Sequence, residues 1–226
     1  MKENLLACLE GEKNRDDVFD CFNAVIEQAE RSDSKPSMIN HRDIIRIKNA
    51  IKTFAKKNDY DFDEIFLRLW WSRKLLLNII AAHLLKDIYK NNTKADIESI
   101  KTLIWRIDNR LFCKEVSDSI SKLVNEHIEK WKEVLKEWAK SDFKWNRMLA
   151  ILLIKKIAAL HAVQIPDLLK IIDLFMNEND PDIQQEIGKG LSVMLKQWDW
   201  PVFYFVDKYK FSENKNTQSI LRFGYF

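Results

Sequence analysis

The sequence contains little glycine, proline or cysteine. Four glycines and four prolines are spread over 226 residues, whereas β-sandwiches and β-barrels need many tight turns, which these residues usually form. Their scarcity argues against an all-β fold and favours long helices joined by short polar loops. The three cysteines show no regular spacing, so we expect no disulfide framework and a cytoplasmic location in a reducing environment.

The sequence also lacks a strong charge of either sign and any long apolar run. Lys and Arg total 37 against 34 Asp and Glu, a net charge of +3. Nucleic-acid binding would therefore depend on a local basic patch rather than on the overall charge. The longest apolar stretch, residues 148–154, is far shorter than a membrane span. We expect no membrane partner.

Apolar residues recur with helical spacing along most of the chain. Several of the helical segments are separated by only a few residues, which predicts that consecutive helices fold back on each other as antiparallel pairs. The predicted segments are residues 15–29, 44–54, 62–71, 75–88, 97–105, 111–128, 131–139, 145–160, 165–176 and 183–198.

An internal repeat is visible in the second half of the chain. Asp142 and Asp180, 38 residues apart, each precede a long apolar segment, and Asp108 precedes another 34 residues before Asp142. Asp142 and Asp180 are predicted N-caps, and Pro181 suits the first helical position. Helix pairs recurring every 35 to 45 residues or so are typical of HEAT-like arrays.

These patterns predict an all-α fold, an α-solenoid of stacked antiparallel helix pairs built from HEAT-like repeats. We expect a single domain over residues 1–226, with a helical N-terminal cap at about residues 1–35 and repeats over about residues 40–224. Such pairs cannot bury their apolar faces alone, so stacking is obligatory.

The usual signatures of metal or phosphate chemistry are missing. Gly188 and Gly190 lie inside a helical pattern and do not follow a strand, so they cannot form a phosphate loop. Cys113 lies among apolar neighbours and is expected to be buried. No histidine has a second ligand type at a metal-binding spacing, so we expect neither metal nor cofactor. The histidines are His41, His83, His127 and His161.

Eight tryptophans are present, and most fall near the ends of predicted helices. They either wedge adjacent helices in the core or stack on bases or sugars. They are Trp70, Trp71, Trp105, Trp131, Trp138, Trp145, Trp198 and Trp200.

The basic residues suggest a binding surface. Arg106, Arg110 and Lys114 are spaced at i, i+4 and i+8, which predicts that they share one helix face. Arg147 and Lys189 fall early in two later predicted helices. Because equivalent positions of stacked repeats line one surface, these five cations predict a basic concave groove suited to phosphates. The alternative is an ordinary solvated face, which nearby acids favour.

Several segments carry a family resemblance. They are Leu-Trp-Trp-Ser at residues 69–72 with the helical residues 81–85, and then residues 108–116, 145–151, 180–181 and 187–191. In order and spacing, the chain from about residue 44 to residue 224 resembles the AlkD-type DNA alkylation-repair family. Members of that family are HEAT-like DNA glycosylases that excise alkylated bases. The resemblance implies an α-solenoid that acts on DNA.

The chain departs from this family at the positions that carry its chemistry. The family uses an acid and two tryptophans in the groove and an arginine near the lesion. The acid position matches Lys114, and the tryptophan positions match Arg110 and Lys189. The arginine position matches Met148, with Arg147 beside it. Because a lysine repels the cationic sugar that forms as the base leaves, the resemblance implies a basic groove without base-excision machinery.

We therefore expect a protein that binds duplex DNA through phosphate contacts, largely independently of sequence. Two alternatives stay open. An active glycosylase for alkylated purines would use Asp108 or Asp118 as a shifted acid, and a protein-interaction scaffold would use the repeats to bind a protein partner.

Overall fold

The computed structural model describes residues 41–57, 61–89 and 93–226, together with residues 7, 8, 17, 20, 21 and 24. These residues contain α-helices and short 3₁₀ turns but no strand. Neighbouring helices pack side by side, so the predicted all-α solenoid is confirmed. The N-terminal cap and the helix predicted over residues 15–29 lie outside the described residues, apart from a few isolated positions.

The chain forms two compact units, residues 1–88 and 89–226. The first contains α1 (His41–Lys57), α2 (Phe62–Trp70) and α3 (Leu75–Ile88), and α3 packs against both other helices. The buried Asn78 amide donates hydrogen bonds to the carbonyls of Leu69 at 3.1 Å and Trp70 at 2.8 Å. These bonds are made to carbonyls at the C-terminal end of α2 and close the tight joint between α2 and α3.

The second unit contains eight α-helices among the described residues. They are α4 (Lys94–Ile104), α5 (Arg110–Glu126), α6 (Ile128–Ala139), α7 (Lys144–Leu160), α8 (Ile165–Ile172), α9 (Pro181–Gln197), α10 (Asp199–Tyr209) and α11 (Lys215–Phe223).

The helices of this unit form two layers. In the first layer α5, α7, α9 and α11 follow one another, each packed against the next. In the second layer α6, α8 and α10 do the same. Consecutive helices thus alternate between the layers, which is the arrangement of stacked antiparallel pairs that the repeat predicts.

Helix α7 lies between α5 and α9 in the first layer and buries side chains on most of its surface. Met148, Leu149 and Ile151 are fully buried, because α5 and α9 cover its two sides and α6 packs against it as well. Burying each such side chain contributes about 1.5–3 kcal/mol. Trp131 and Trp138 are also buried, and their rings pack edge to face with centroids 6.0 Å apart. These two tryptophans are therefore core wedges.

The predicted N-caps are right at one position and wrong at another. The Asp180 carboxylate accepts hydrogen bonds from the backbone N–H groups of Asp182 at 3.0 Å and Ile183 at 3.2 Å, and Pro181 is the first residue of α9. Helix α7, however, begins at Lys144, so its N-cap is Phe143 and Asp142 lies one residue too early.

Helix α5 shows a similar one-residue offset. Its N-cap is Asn109, whose side chain accepts the Phe112 N–H at 2.9 Å, and not Asp108. The spacing of the repeat therefore located the helix starts to within a residue or two, while local side-chain contacts chose the capping residue.

Helices α9 and α11 are in close contact at Gly188. A Cβ at this position would lie 2.6 Å from Phe223 Cβ and 2.7 Å from Gly224 N. The Ser192 hydroxyl donates to the Gly224 carbonyl at 2.9 Å and closes the same contact. Gly188 thus serves helix packing, in agreement with the prediction that it is no phosphate loop.

The cysteines correct one expectation. Cys8 and Cys21 are joined by a disulfide, with Cα atoms 5.8 Å apart, although the odd count and irregular spacing of the cysteines predicted no disulfide framework and a reducing compartment. A single bridge follows no repeated spacing, so the sequence pattern carried no signal for it. The cysteines therefore do not support the expectation that the protein resides in a reducing compartment. Cys113 is buried as predicted, and burial raises the pKa of its thiol.

Candidate functional site

Of the three cations predicted to share one helix face, only two lie on one helix. Arg110 and Lys114 lie one turn apart on α5, but Arg106 precedes the helix and lies in the turn after α4. Arg106 Nη1 donates to Asp108 Oδ2 at 2.7 Å. Lys114 is exposed and has no ion-pair partner among the described residues. The assignment of Arg106 to the α5 face was wrong, because α5 begins four residues later.

A buried carboxylate organises three of the cations of this surface. Glu186, on α9, accepts hydrogen bonds from Arg110 Nη2 at 2.8 Å, from Lys189 Nζ at 3.3 Å and from Lys155 Nζ. Its side chain is only 7% exposed. The three cations come from α5, α7 and α9, so these four residues, here named the Glu186 cluster, join three consecutive helices of the first layer.

The charges of this cluster decide the ionisation of Glu186. Burial alone raises the pKa of its carboxyl. The opposing interactions together outweigh burial; they are the hydrogen bond from Lys155, the charges of Lys155 and Lys189, and the hydrogen bond from Arg110. The pKa of Glu186 is therefore lower than its usual value, and the group is a carboxylate at neutral pH. It neutralises part of the positive charge of the surface.

A second acidic group lies at the first turn of α9. Arg110 Nη1 donates to Asp182 Oδ1 at 3.1 Å, and Lys144 lies 2.6 Å from Asp180 and 3.7 Å from Asp182. The starts of α5, α7 and α9 therefore meet at one edge of the first layer. Cations and carboxylates alternate there, so the edge is less basic than the sequence predicted.

Arg147 forms an ion pair with Glu178. Its Nε donates to Glu178 Oε2 at 2.7 Å and its Nη2 to Glu178 Oε1 at 3.3 Å, while Nη1 donates to the carbonyls of Ser141 and Asp142. Both side chains are largely buried. This bidentate pair fixes the start of α7 to the segment before α9. Four of the five predicted cations are thus paired with acids.

The two acids considered as shifted catalytic groups are also paired. Asp118 is bound by Lys156 of α7. Asp108 accepts from Arg106 and Asn109. Burial raises the pKa of Asp108, but the hydrogen bonds from Arg106 and Asn109 and the charge of Arg106 together outweigh burial, so that the pKa lies below its usual value. Neither carboxylate is placed to act on its own.

Sequence reasoning missed Glu186, Lys155 and Lys144. The only local signal was the i, i+3 spacing of Glu186 and Lys189 on α9, which is common on solvated helices. The contacts that make Glu186 special come from residues 31 and 76 positions away. They exist only because the repeats stack.

Other kinds of site are not found in the part of the chain that the structure describes. Its residues contain no group of three or more His, Cys, Asp or Glu side chains able to hold a metal ion. None of its helices is long and apolar enough to cross a membrane.

The two layers of helices and the charged edge of the first layer define a helical-repeat protein of the α-solenoid class. The sequence model of the DNA alkylation repair enzyme family matches residues 43–224, most of the chain. The chain therefore belongs to the DNA alkylation repair enzyme family. A search of curated proteins finds no match.

Proposed function

We propose that this protein binds duplex DNA through phosphate contacts on the first layer and does not excise bases. The observation that carries the proposal is the exposed ammonium group of Lys114, for which the described part of the chain offers no ion-pair partner. It stands at the position that matches the acid of the family's glycosylases, beside Arg110, which matches one of their tryptophans.

The cations proposed to reach DNA are the exposed ones. Arg110 and Lys189 are each nearly half exposed, and Lys114 is exposed. Arg106 and Arg147 are mostly covered, so they support the surface more than they contact phosphate. The exposed pair of Arg110 and Asp182 is worth about 0–1 kcal/mol, so a phosphate can replace the carboxylate at little cost.

Base excision needs a carboxylate at the position that Lys114 occupies. A leaving base creates positive charge on its sugar, which a nearby carboxylate stabilises. Lys114 has the opposite sign, and at ~5 Å with an effective dielectric constant of ~20 its repulsion amounts to about 3 kcal/mol. Asp118, one turn from Lys114 on α5, is bound by Lys156, and Glu186 is buried and already shared among three cations.

The protein-interaction alternative is favoured by a different surface. In the second layer, α10 exposes Trp200, Phe203 and Tyr204, and a cavity of about 470 Å³ lies between α8 and α10. Exposed apolar patches of this kind mark interaction sites. Trp200→Ser would weaken association with a protein partner and leave DNA affinity unchanged, so the two functions are separable.

Two assays test the proposal. Binding of a labelled duplex is titrated at increasing salt concentration, and DNA that carries 3- or 7-alkylated purines is assayed for free base. Tight, salt-sensitive binding without base release is the expected result. Absence of binding at low salt overturns the DNA-binding part, and base release above the no-protein control overturns the non-excising part.

A further inference from the structure

Trp105 and Phe143 form an aromatic pair at the surface of the second unit. Their ring centroids are 4.8 Å apart and their planes are tilted by 26°, so the rings stack. Trp105 directly follows the last residue of α4 and is 62% exposed, whereas Phe143, the N-cap residue of α7, is half-buried. One face of the indole therefore rests on Phe143, and most of the remaining ring surface is open.

The position of Trp105 differs from that of the core tryptophans. Trp131 and Trp138 are enclosed between helices, as a wedge requires. Trp105 instead stands in the turn after α4, where its backbone N–H donates to the Leu103 carbonyl. Its backbone is thus anchored and its ring is supported from one side. A large aromatic ring held in this way is preorganised to stack on a flat partner.

The surroundings of the pair are electrically balanced. Arg106, next to Trp105, is paired with Asp108, and Lys144, next to Phe143, is paired with Asp180. A phosphate gains little from such a neutral environment, whereas an uncharged aromatic base needs only the ring surface.

The pair nevertheless lies beside the cations of the first layer. Asp182 contacts Lys144, which follows Phe143, and also Arg110. The starts of α5 and α7 are therefore close together, and the aromatic pair borders the surface that carries Arg110 and Lys114.

We propose that the stacked pair of Trp105 and Phe143 is a binding site for a nucleobase that has left the duplex stack. The base stacks on the open face of the indole while flanking phosphates contact Arg110 and Lys114. This inference rests on the proposed DNA binding and adds to it a preference for DNA with a displaced base. Stacking on aromatic side chains tolerates any base, because every base has a π-face.

The test compares two labelled duplexes of one sequence, one fully paired and one with a single unpaired 2-aminopurine. Wild-type protein is expected to bind the bulged duplex about five- to tenfold more tightly and to quench the 2-aminopurine emission. Trp105→Leu should remove both the preference and the quenching, and Trp105→Phe should retain part of each. Trp200→Leu, which changes an exposed tryptophan of the second layer, is the matched control and should retain both.

The outcomes separate this site from the proposed function. If the wild type binds the two duplexes equally well, the stacking site is overturned while DNA binding stands. The same holds if Trp105→Leu, folded with an unaltered melting temperature, still prefers the bulged duplex. Absence of binding to either duplex at low salt overturns both. Lys114→Ala should weaken binding to both duplexes by the same factor, since it removes a phosphate contact and not the stacking surface.

Discussion

Arg110 donates a hydrogen bond to Glu186 at 2.8 Å across 76 positions of sequence. This bond joins the first turn of α5 to the second turn of α9, two helices of the first layer that are separated by α7. Lys155 of α7 completes the link by binding the other oxygen of the same carboxylate. A single buried acid therefore holds three repeats together and also sets the charge of the surface that we propose for DNA.

Glu186→Gln should lower stability and raise DNA affinity. Losing the buried charge leaves three cations without their shared partner, at a cost of about 1–3 kcal/mol in the free energy of unfolding. The same change removes one negative charge from the DNA-binding surface, which should tighten duplex binding up to about tenfold at low salt. Denaturant titration and duplex titration measure the two effects. Glu178→Gln, beside Arg147, is the control: it should destabilise the protein without raising DNA affinity.

Stability should decrease on acidification. The pKa of Glu186 is lowered by its cations in spite of burial, and hydrogen bonds from Lys170 and Lys132 lower the pKa of Asp167 to about 2. Carboxylates whose folded-state pKa is depressed contribute stability above their ordinary pKa and lose it as the pH falls through the folded value. The free energy of unfolding should therefore fall between about pH 5 and pH 2. In Glu186→Gln the free energy of unfolding should fall less over this pH range than in the wild type. An equal fall in the two proteins would contradict the role of the Glu186 cluster.

Duplex binding should weaken steeply with salt. Contacts from Arg110, Lys114 and Lys189 to about three phosphates predict a slope of roughly −3 in a plot of log K against log salt concentration. Lys114→Ala should reduce the steepness by about one. Lys136→Ala, which removes a cation of α6 in the second layer, should leave the slope unchanged. A flat titration would remove phosphate contacts from the proposal.

Incubation with alkylated DNA should release no free base above a control without protein. The reason is the sign of the charge at Lys114, since a change from attraction to repulsion raises the barrier by roughly 6 kcal/mol, several powers of ten in rate. If the wild-type protein releases base and Asp108→Asn or Asp118→Asn abolishes the release, the substituted residue is the shifted acid and the protein is a glycosylase. Lys114→Asp is the complementary variant, and any gain of base release in it would show that this position controls the chemistry.

Two glycines of α9 should respond oppositely to alanine. At Gly188 a Cβ would meet Phe223 and Gly224 at 2.6–2.7 Å, so Gly188→Ala should destabilise the protein by about 1–3 kcal/mol through overpacking. At Gly190 the nearest atom, Ile151 Cδ1, lies 3.5 Å away. Gly190→Ala should therefore stabilise the helix by up to about 1 kcal/mol. Thermal unfolding of the two variants measures the difference in stability. Equal changes in stability would contradict the close contact of α9 with α11.

Helix existence and pairing could be predicted because they depend on local patterns. Apolar spacing located α7 to within a residue of Lys144–Leu160, and the Asp-Pro pair marked the start of α9. The wrong predictions are equally local. Asp142 lies one residue before Phe143, the N-cap of α7, and the Arg147 guanidinium donates to its carbonyl. A one-residue shift in the helix start decides which side chain caps it, and hydrophobic periodicity does not resolve a single residue.

By itself the sequence determined an all-helical chain of repeats and carried the family resemblance, which matches the charged Lys114 to an acid. Periodicity and side-chain charge are properties of single segments, so no tertiary contact is needed to recognise them. Only the tertiary structure decided how basic the surface is and which tryptophans are open. Stacking brings Glu186 and Asp182 against Arg110, and it buries Trp131 while it leaves Trp105 exposed on Phe143. These outcomes follow from long-range contacts between repeats, because charge neutralisation and burial depend on which residues meet in space and not on their order along the chain.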